Sequence, residues 1–230
     1  MNIAIVGGGI VGLALGYKLS KNKGNKIHVF EKEKEVGFHQ SGRNSGVLHC
    51  GLAYKPGSLK AKLAVSGIKQ MVKYCKDFKI NHDICGKIVV ASDENESKLL
   101  ENTAKRGKLN GLKGLKYLNN IELKQREPFV SSYKSLLVPE EGIVDYKTVM
   151  LSMKENIINS GGDVLLGSKI KKIEEKKKLT YINKNSSIGY NIIIYTTGLQ
   201  SDINYKKFTK NKLKAKIVPF RGEYYTLEDH

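Results

Sequence analysis

The feature that constrains this chain most is a segment of spaced glycines near its N-terminus. Residues 3–6 (IAIV) form a short apolar run, which is typical of a buried strand. Gly7, Gly9 and Gly12 follow in the spacing G-x-G-x-x-G, and residues 10–19 have the small and apolar composition of a packed helix. In this pattern the first glycine allows a tight turn, the second lets a pyrophosphate approach the backbone, and the third lets helix and strand pack closely. The segment predicts a strand, turn and helix that bind phosphate at the helix N-terminus.

A second strand and an acidic residue complete the unit. Residues 27–30 (IHVF) are predicted to be a strand, and Glu31 ends it about 20 residues after the last glycine. A carboxylate at that position can accept hydrogen bonds from ribose hydroxyls. A purely structural glycine turn is the alternative, but it leaves the placement of Glu31 as a coincidence. The unit therefore predicts a bound dinucleotide, and by itself it does not distinguish FAD from NAD.

The rest of the chain alternates between helical and strand-like segments. Residues 37–57 are rich in Gly, Ser, His and Asn and are predicted to be a long functional loop. The apolar run at 192–195 is predicted to lie in the middle of a parallel sheet. The other predicted elements are helices at 58–78, 95–109 and 146–159, the last capped by Gly161 and Gly162, and strands at 87–92, 136–139, 164–166 and 216–227.

Composition and charge limit the class of protein. Apolar residues make up 40% and charged residues 27%, as in globular proteins, and no apolar run approaches the ~18 residues of a membrane span. The net charge is +18, but lysines are scattered over the whole chain, so we expect a composition bias and no nucleic-acid partner. The N-terminus lacks the features of a signal peptide. The three cysteines have no metal-site spacing, so no metal is predicted and a reducing, cytoplasmic location is expected.

Several later segments resemble one group of flavoproteins. Residues 39–51 (HQSGRNSGVLHCG) resemble the second FAD motif of the D-amino-acid-oxidase-like superfamily. Segments further along resemble the L-2-hydroxyglutarate oxidase/dehydrogenase family within it, and they occur in the family's order over essentially the whole chain. These segments are YKPGSLKA at 54–61, CGK at 85–87, REP at 126–128, GIVDY at 142–146 and PFRGEYY at 219–225.

The resemblance implies a cofactor and a reaction. The cofactor would be FAD, and the reaction would be oxidation of L-2-hydroxyglutarate to 2-oxoglutarate, with electrons passed to a quinone or another acceptor. With a quinone as acceptor, a peripheral contact at the inner face of the membrane would follow. The alternatives are another oxidoreductase of the superfamily, acting on an amino acid or glycerol 3-phosphate, and a catalytically silent FAD-binding module. The fold implied is α/β, a Rossmann-like FAD-binding domain with a parallel sheet plus an incomplete antiparallel α+β substrate domain.

The resemblance also assigns residues to the cofactor. The ADP half would be held by Gly7, Gly9, Gly12, Glu31 and Lys32, and the pyrophosphate and flavin by Ser41, Asn44, Ser45, Gly46 and Val47. Ile170, on the strand after Gly162, would contact adenine through its backbone. A third cofactor motif would be formed by Gly198 and Leu199, with Thr197 before them and Asp202 after.

The chain departs from the family at a few positions. Arg43 stands where the family often has His, Ala53 where it has a bulkier residue, and Thr196 with Thr197 where it has a small or Cys-containing pair. Family members are also longer, so we expect this chain to be a fragment or a truncated product. The FAD-binding domain is predicted at 1–84 and 140–206, and a partial substrate domain at 85–139 and 207–230.

Oxidation of a 2-hydroxy acid needs a base for the hydroxyl proton and cations for the carboxylates. His49 in the flavin loop is the candidate base, or else a structural histidine, and His39 and His82 are weaker candidates. Arg221 is the candidate carboxylate clamp, or else an arginine paired with Glu223. Arg43 is a further candidate: its guanidinium either binds substrate or pyrophosphate, or makes structural hydrogen bonds within the protein. Tyr54 is the last candidate and either orients the substrate or packs in its loop.

Overall fold

The structure is a computed structural model that describes residues 1–176, 179–183, 187–209 and 213–223. The chain divides into two compact units. Unit 1 comprises Met1–Arg43 and Met150–His230, and unit 2 comprises Asn44–Val149.

The described elements alternate along the chain. The strands are β1 (Asn2–Val6), β2 (Lys26–Phe30), β3 (Val47–Leu48), β4 (His82–Asp83), β5 (Lys87–Ala91), β6 (Lys116–Leu118), β7 (Lys134–Val138), β8 (Gly142–Val144), β9 (Asp163–Leu165), β10 (Ile173–Lys176), β11 (Leu179–Ile182), β12 (Gly189–Tyr190) and β13 (Ile192–Tyr195). The helices are α1 (Ile10–Ser20), α2 (Leu59–Asp77), α3 (Glu94–Leu109), α4 (Asn120–Arg126), α5 (Tyr146–Asn159) and α6 (Ser201–Phe208), with short 3₁₀ turns at Gln40–Gly42 and Gly198–Gln200.

Unit 1 is built on a parallel sheet with strand order β13-β1-β2-β9. The strands are short and apolar, and β1 and β2 are joined by α1 as a βαβ crossover unit. A three-stranded antiparallel sheet, β10-β11-β12, contributes to the same core. That core contains Ala4, Val6, Phe30, Ile182 and Tyr190, all buried. The carboxyl ends of β1 and β2 carry the glycine turn and Glu31, so the predicted strand, turn, helix and strand are confirmed.

The apolar strand at 192–195 lies at an edge of this sheet, not in its middle. Within the described part of the chain, β13 pairs with β1 alone. Its first residue, Ile192, is 42% exposed and the other three are half-buried. An apolar run indicates that both faces of a strand are covered. It does not specify which strands pair with it, and that pairing determines whether the strand lies in the middle or at the edge of a sheet.

Unit 2 contains two antiparallel three-stranded sheets with helices α2, α3 and α4. One sheet has the order β3-β8-β4 and the other β5-β7-β6. The main core of this unit combines strand and helix residues, for example Ala91, Leu136 and Val138 with Leu100 and Ala104 of α3. Asp93 caps α3 by accepting a hydrogen bond from the backbone N–H of Glu96, and Ser58 caps α2 in the same way.

The predicted strand at 216–227 and the predicted loop at 37–57 also differ from the fold. Residues 216–223 form no strand, and 224–227 lie outside the described residues, so the predicted strand at 216–227 is wrong over its described part. Pro219 has no N–H for a strand ladder, and no described strand pairs with this segment. The predicted loop at 37–57 is largely irregular, as expected, but it includes the 3₁₀ turn and β3.

The units do not share the boundaries of the predicted domains. Residues 44–84 and 140–149 were predicted to join the FAD-binding domain, but they contribute β3, β4 and β8 to one sheet of unit 2. The sheet, formed by strands far apart in the sequence, holds these segments together. The functional assignment of domains stays a prediction.

Candidate functional site

The glycine turn of unit 1 is a position where side chains do not fit. Gly7 has φ +114°, and a Cβ on it would lie 2.5 Å from the carbonyl oxygen of Thr196. A Cβ on Gly12 would collide with the carbonyl oxygen of Gly7 and lie 2.6 Å from Oγ1 of Thr196. The N–H of Gly7 also donates to the carbonyl oxygen of Phe30 at 2.8 Å. The turn is therefore tied to both neighbouring strands, as the glycine spacing predicted.

The N-terminus of α1 presents free backbone donors. The N–H of Ile10 donates to Oγ of Ser41 at 3.0 Å, and a Cβ on Gly9 would lie 2.9 Å from that oxygen. Within the described residues, the N–H groups of Val11 and Gly12 have no hydrogen-bond partner. Unpaired N–H groups and the positive end of the helix dipole favour an anion such as a pyrophosphate.

Glu31 is buried beside this helix end, with 7% of its surface exposed. Its Oε2 accepts a hydrogen bond from the N–H of Gly8 at 2.7 Å, and its Oε1 accepts one from the N–H of Glu33 at 2.9 Å. These bonds fix the carboxylate, and each oxygen keeps a second lone pair. The geometry fits a carboxylate that accepts hydrogen bonds from ribose hydroxyls.

Lys32, the other residue predicted for the ADP half here, is 42% exposed at its side chain. Its Nζ lies 3.3 Å from Oε1 of Glu33, which also lies 2.9 Å from Nε2 of His39. Hydrogen bonds from His39 and Lys32 lower the pKa of the Glu33 carboxyl. Lys32 therefore belongs to an exposed cluster of charges next to Glu31.

Ile170 is not on a strand, contrary to the prediction, because β9 ends at Leu165 and an irregular segment follows. The residue is 8% exposed and packs in the core of unit 1. Among the described residues, nothing is hydrogen-bonded to its backbone N–H or C=O, whereas the N–H of Ser168 donates to the carbonyl oxygen of Glu31 at 2.7 Å. A free backbone edge next to the Glu31 strand fits recognition of an adenine ring through the main chain.

The third predicted motif follows β13. Oγ1 of Thr196 lies 3.1 Å from the carbonyl oxygens of both Val6 and Gly7, so this departure from the family ties the motif to the glycine turn. Gly198 has φ +52°, and Leu199 is 40% exposed. Asp202 is buried, and its carboxylate accepts hydrogen bonds from the N–H of Ile203 at 2.8 Å and of Ile217 at 3.2 Å. Hydroxyl and carboxylate groups thus organise this end of the sheet.

Arg43 is the last residue of the first segment of unit 1 and is exposed. Its Nε donates to the carbonyl oxygen of Phe38 at 3.2 Å, and its guanidinium lies 5.3 Å from the centre of the Phe38 ring. These contacts match the structural alternative for this residue, and they leave its other nitrogens for a ligand.

In unit 2 the predicted flavin loop begins with a tight turn. Oδ1 of Asn44 accepts a hydrogen bond from the N–H of Gly46 at 2.8 Å, and Gly46 has φ +71°. Val47 then pairs with Ile143 in the β3–β8 ladder. Ser45 and Gly46 also border an open groove of about 850 Å³. The groove is otherwise lined by Cys75, Lys76, Lys79, Ile80, Asn81, His82, Asp83, Ile143, Val144 and Asp145.

His49 follows this strand, and the structure brings it to a residue that the sequence did not single out. Nδ1 of His49 lies 3.5 Å from Oε1 of Glu141, which is 1% exposed as a residue. Oε1 also accepts hydrogen bonds from the N–H and the Sγ of Cys50, each at 3.4 Å. Nζ of Lys87 lies 2.5 Å from Oε2. The only signal in the sequence is the position of Glu141 directly before the GIVDY segment.

The electrostatics of this cluster favour a charged carboxylate and a neutral thiol. Burial raises the pKa of Glu141, but the contacts with Lys87, Cys50 and His49 outweigh burial and hold it below its usual value. Burial and the neighbouring carboxylate raise the pKa of Cys50 to about 12. Cys50 is therefore a hydrogen-bond donor here and not a nucleophile.

The other two catalytic candidates lie elsewhere. Tyr54 packs in its loop, where Nδ2 of Asn110 donates to its carbonyl oxygen at 2.9 Å and Nζ of Lys60 lies 4.4 Å from its ring centre. Arg221 belongs to unit 1, is 86% exposed at its side chain, and has Nε 3.3 Å from Oε1 of Glu223. Both placements match the structural alternatives stated for these residues.

A glycine turn, free helix amides and a fixed carboxylate at the ends of parallel strands define the dinucleotide-binding end of a Rossmann-like domain. The sequence pattern of the FAD dependent oxidoreductase family matches residues 2–230, and the chain belongs to this family. The family uses FAD, so the cofactor predicted from the second motif is confirmed. None of the helices in the part of the chain that the structure describes is long and apolar enough to cross a membrane.

Within this family, the chain is similar to proteins named L-2-hydroxyglutarate dehydrogenase. The L-2-hydroxyglutarate dehydrogenase of Indibacter alkaliphilus is 42% identical over 228 residues, which cover 98% of this chain and 57% of the relative. The mitochondrial L-2-hydroxyglutarate dehydrogenase of Homo sapiens is 36% identical over 241 residues, covering 99% of this chain and 52% of the relative. The resemblance found in the sequence is confirmed, and the chain spans about half the length of these relatives.

Solved structures agree on the fold. L-alpha-glycerophosphate oxidase from Mycoplasma pneumoniae superposes with a TM-score of 0.82 at 24% identity, covering 90% of this chain and 56% of that one. Glycine oxidase from Geobacillus kaustophilus gives a TM-score of 0.78 at 19% identity, covering 86% and 55%. The predicted α/β fold class is confirmed.

Proposed function

We propose that this chain binds FAD and belongs to an enzyme that oxidises L-2-hydroxyglutarate to 2-oxoglutarate. The observation that carries the proposal is the 42% identity to an L-2-hydroxyglutarate dehydrogenase over 98% of the chain. The matched region includes the glycine turn, the flavin loop and the segments at 54–61 and 219–223. Solved structures of lower identity support the fold alone and do not favour another substrate.

The ADP half of FAD is proposed to bind in unit 1. The free N–H groups at the start of α1 hold the pyrophosphate, supported by Gly7, Gly9 and Gly12. Glu31 accepts from the ribose hydroxyls, and the backbone of Ile170 contacts adenine. Lys32 lies nearby and adds positive charge, and Gly198 and Leu199 form a third contact with the cofactor.

The flavin half is proposed to use the loop at 41–47. Ser41 and Arg43 stabilise the pyrophosphate, and the turn of Asn44, Ser45, Gly46 and Val47 lines the flavin. Because the N–H of Ile10 at the start of α1 already donates to Oγ of Ser41, a bound phosphate would replace that contact. The FAD-binding domain would then combine residues 1–84 with 140–206, and the substrate domain would begin with 85–139 and 207–230.

The chemistry requires a base and an anion clamp from the chain. When bound, FAD supplies the acceptor for a hydride from the α-carbon of the substrate. His49 takes the hydroxyl proton, since an imidazole is the side chain that titrates nearest neutral pH. Arg221 holds a substrate carboxylate through its planar guanidinium, and Tyr54 orients the substrate.

The remaining partners are proposed at a coarser level. Electrons leave to a quinone or another acceptor, and a quinone would require a peripheral contact with a membrane surface. The lysine-rich composition would favour such a contact with anionic lipid. The expected location is the cytoplasm.

Anaerobic addition of substrate to the purified protein that carries this sequence tests the proposal. The protein should be yellow, and L-2-hydroxyglutarate should bleach the oxidised flavin absorbance, whereas the D enantiomer should not. Bleaching by glycerol 3-phosphate or an amino acid instead would place the enzyme elsewhere in its family. Bound flavin that no substrate bleaches would identify a silent FAD-binding module and overturn the proposed activity.

A further inference from the structure

The register of one antiparallel ladder in unit 2 sets a histidine against a buried carboxylate. Val47 pairs with Ile143 and Leu48 with Gly142, so the same register carried one residue further sets His49 opposite Glu141. Glu141 is anchored by its own backbone, because its carbonyl oxygen accepts a hydrogen bond from the N–H of Gly86 at 2.9 Å. The approach of the two side chains follows from the sheet and not from the flexibility of a loop.

The two nitrogens of the His49 ring have different surroundings. Nδ1 lies 3.5 Å from Oε1 of Glu141, whereas Nε2 has no hydrogen-bond partner among the described residues. The side chain of His49 is 54% exposed and that of Glu141 is 2% exposed. An ionised carboxylate only accepts hydrogen bonds, so it favours a proton on the nitrogen that faces it. Catalytic hydrogen bonds are often long in the absence of substrate and shorten when it binds, so a separation of 3.5 Å is compatible with this role.

We propose that Glu141 is a positioning residue that holds neutral His49 as its Nδ1–H tautomer and leaves Nε2 as the proton acceptor. The use of that acceptor rests on the proposed function, in which His49 is the base. The hydroxyl proton of the substrate would then move to Nε2, and bound FAD would supply the acceptor for the hydride of the α-carbon. The two electrons of the broken O–H bond form the carbonyl of the product, so protons and electrons balance.

Lys87 holds the carboxylate of Glu141 in one orientation, with Oε1 toward His49. Its Nζ lies 2.5 Å from Oε2 of Glu141, at an angle that does not meet hydrogen-bond geometry, so the contact is an ion pair. The groups that face the carboxylate are Lys87 from β5 and, after β3, His49 and Cys50. Glu140, the adjacent acid, is turned away, with its Oε1 accepting from the N–H groups of Lys113 and Gly114.

The variant Glu141→Gln makes the proposal testable. Lys87 and the N–H of Cys50 both only donate, but Lys87 carries a full charge at 2.5 Å whereas the Cys50 N–H lies at 3.4 Å. The amide oxygen should therefore face Lys87 and the NH₂ group should face His49, with loss of the weaker Cys50 contact. That NH₂ group donates to Nδ1, which requires the proton to move to Nε2. The substitution should therefore reverse the tautomer of His49 without changing the size of the side chain.

Nitrogen NMR of the histidine rings in the full chain measures this directly, with the His49 signals assigned from His49→Asn. The wild-type protein should show Nδ1 protonated, and Glu141→Gln should show Nε2 protonated. In the flavin-loaded enzyme, kcat/KM for L-2-hydroxyglutarate should fall about 10- to 100-fold, mainly through kcat. The tautomer is read without FAD or substrate, so a failed tautomer prediction is distinct from a failed proposed function.

Glu140→Gln is the matched control, because it removes the neighbouring charge and leaves the His49 contact in place. It should leave the tautomer unchanged and kcat/KM within about twofold. If Glu141→Gln fails to fold, Glu141→Leu with Lys87→Met removes the buried carboxylate and its ion-pair partner together, and without that acceptor the Nδ1–H form of His49 should no longer predominate. A wild-type His49 protonated at Nε2, or an unchanged tautomer in the Glu141 variants, would overturn the proposal.

Discussion

The glycine turn of unit 1 and the Glu141 cluster of unit 2 are both tight contacts at strand ends, but they are built differently. The turn uses backbone groups and the absence of side chains, and its glycines lie within six residues of sequence. The cluster uses the side chains of His49, Lys87 and Glu141, which the sheets bring together from distant parts of unit 2. The first kind of site tolerates almost no added atom, and the second kind depends on charge and proton position.

The largest effect is expected from adding one methyl group to the turn. Gly12→Ala would place a Cβ against the carbonyl oxygen of Gly7, which is backbone and cannot rotate away. We expect unfolding free energy to fall by about 3 kcal/mol and FAD affinity to fall about 100-fold. Denaturant unfolding and flavin absorbance after gel filtration measure both.

Gly67→Ala is the matched control for that substitution. Gly67 lies inside α2 of unit 2, and a Cβ there would meet nothing within 4 Å. Alanine should stabilise the helix by about 0.5–1 kcal/mol and leave FAD binding unchanged. Equal destabilisation by both substitutions would show that the turn is no more restrictive than an ordinary helix position.

Removal of the Glu31 carboxylate should have the next largest effect. Glu31→Ala leaves the N–H groups of Gly8 and Glu33 without their acceptor, which costs about 2–3 kcal/mol. FAD affinity should fall about tenfold or more, measured by titration of the apoprotein. Lys32→Ala, at an exposed neighbour, should change affinity less than about threefold. A larger loss from Lys32→Ala than from Glu31→Ala would reverse their proposed roles.

The sequence predicted the local structure around the glycine turn of unit 1 well, because each of its parts is close in sequence. Strand, glycines, helix and Glu31 occur within one βαβ unit, so their spacing fixes their geometry. The sequence did not predict the partner of His49, because the ladder that aligns residue 49 with residue 141 depends on the pairing of β3 with β8. It also misplaced β13, since hydrophobicity does not specify strand neighbours, and Ile170, since its burial comes from an irregular segment.

A pH-dependent stability is expected from unit 1. Burial lowers the pKa of His28, whose Nδ1 lies 2.7 Å from the hydroxyl oxygen of Tyr190. Nearby charges are Asp163, which opposes the shift, and Lys26, which adds to it. Below the ordinary histidine pKa of about 6.5 the unfolded chain binds a proton that the folded chain does not, so stability falls as pH falls.

His28→Gln tests this origin, because glutamine does not titrate and keeps an acceptor for Tyr190. Unfolding free energies at about pH 7.5 and about pH 5.5 should differ less in the variant than in the wild type. An equal difference in both proteins would assign the pH dependence to other groups.

The smallest effect is expected in thiol reactivity within unit 2. Burial and Glu141 raise the pKa of Cys50 to about 12, and burial raises that of Cys75, whereas Cys85 is exposed. A thiol reagent at neutral pH should label one cysteine of the three rapidly, and Cys85→Ser should abolish that phase. Rapid labelling of Cys50 would indicate that the Glu141 cluster is open to solvent.

Competition for FAD binding tests most directly the central claim that unit 1 recognises the ADP half of the cofactor. FAD is titrated into the apoprotein of the full chain in two separate experiments, one with ADP present and one with FMN present. The two competitors are used at the same concentration as each other. ADP should weaken the apparent affinity for FAD, and FMN should have much less effect. In the proposed binding mode the α1 amides, Glu31 and the Ile170 backbone would meet no part of FMN beyond its phosphate. Competition by FMN but not by ADP would contradict the account.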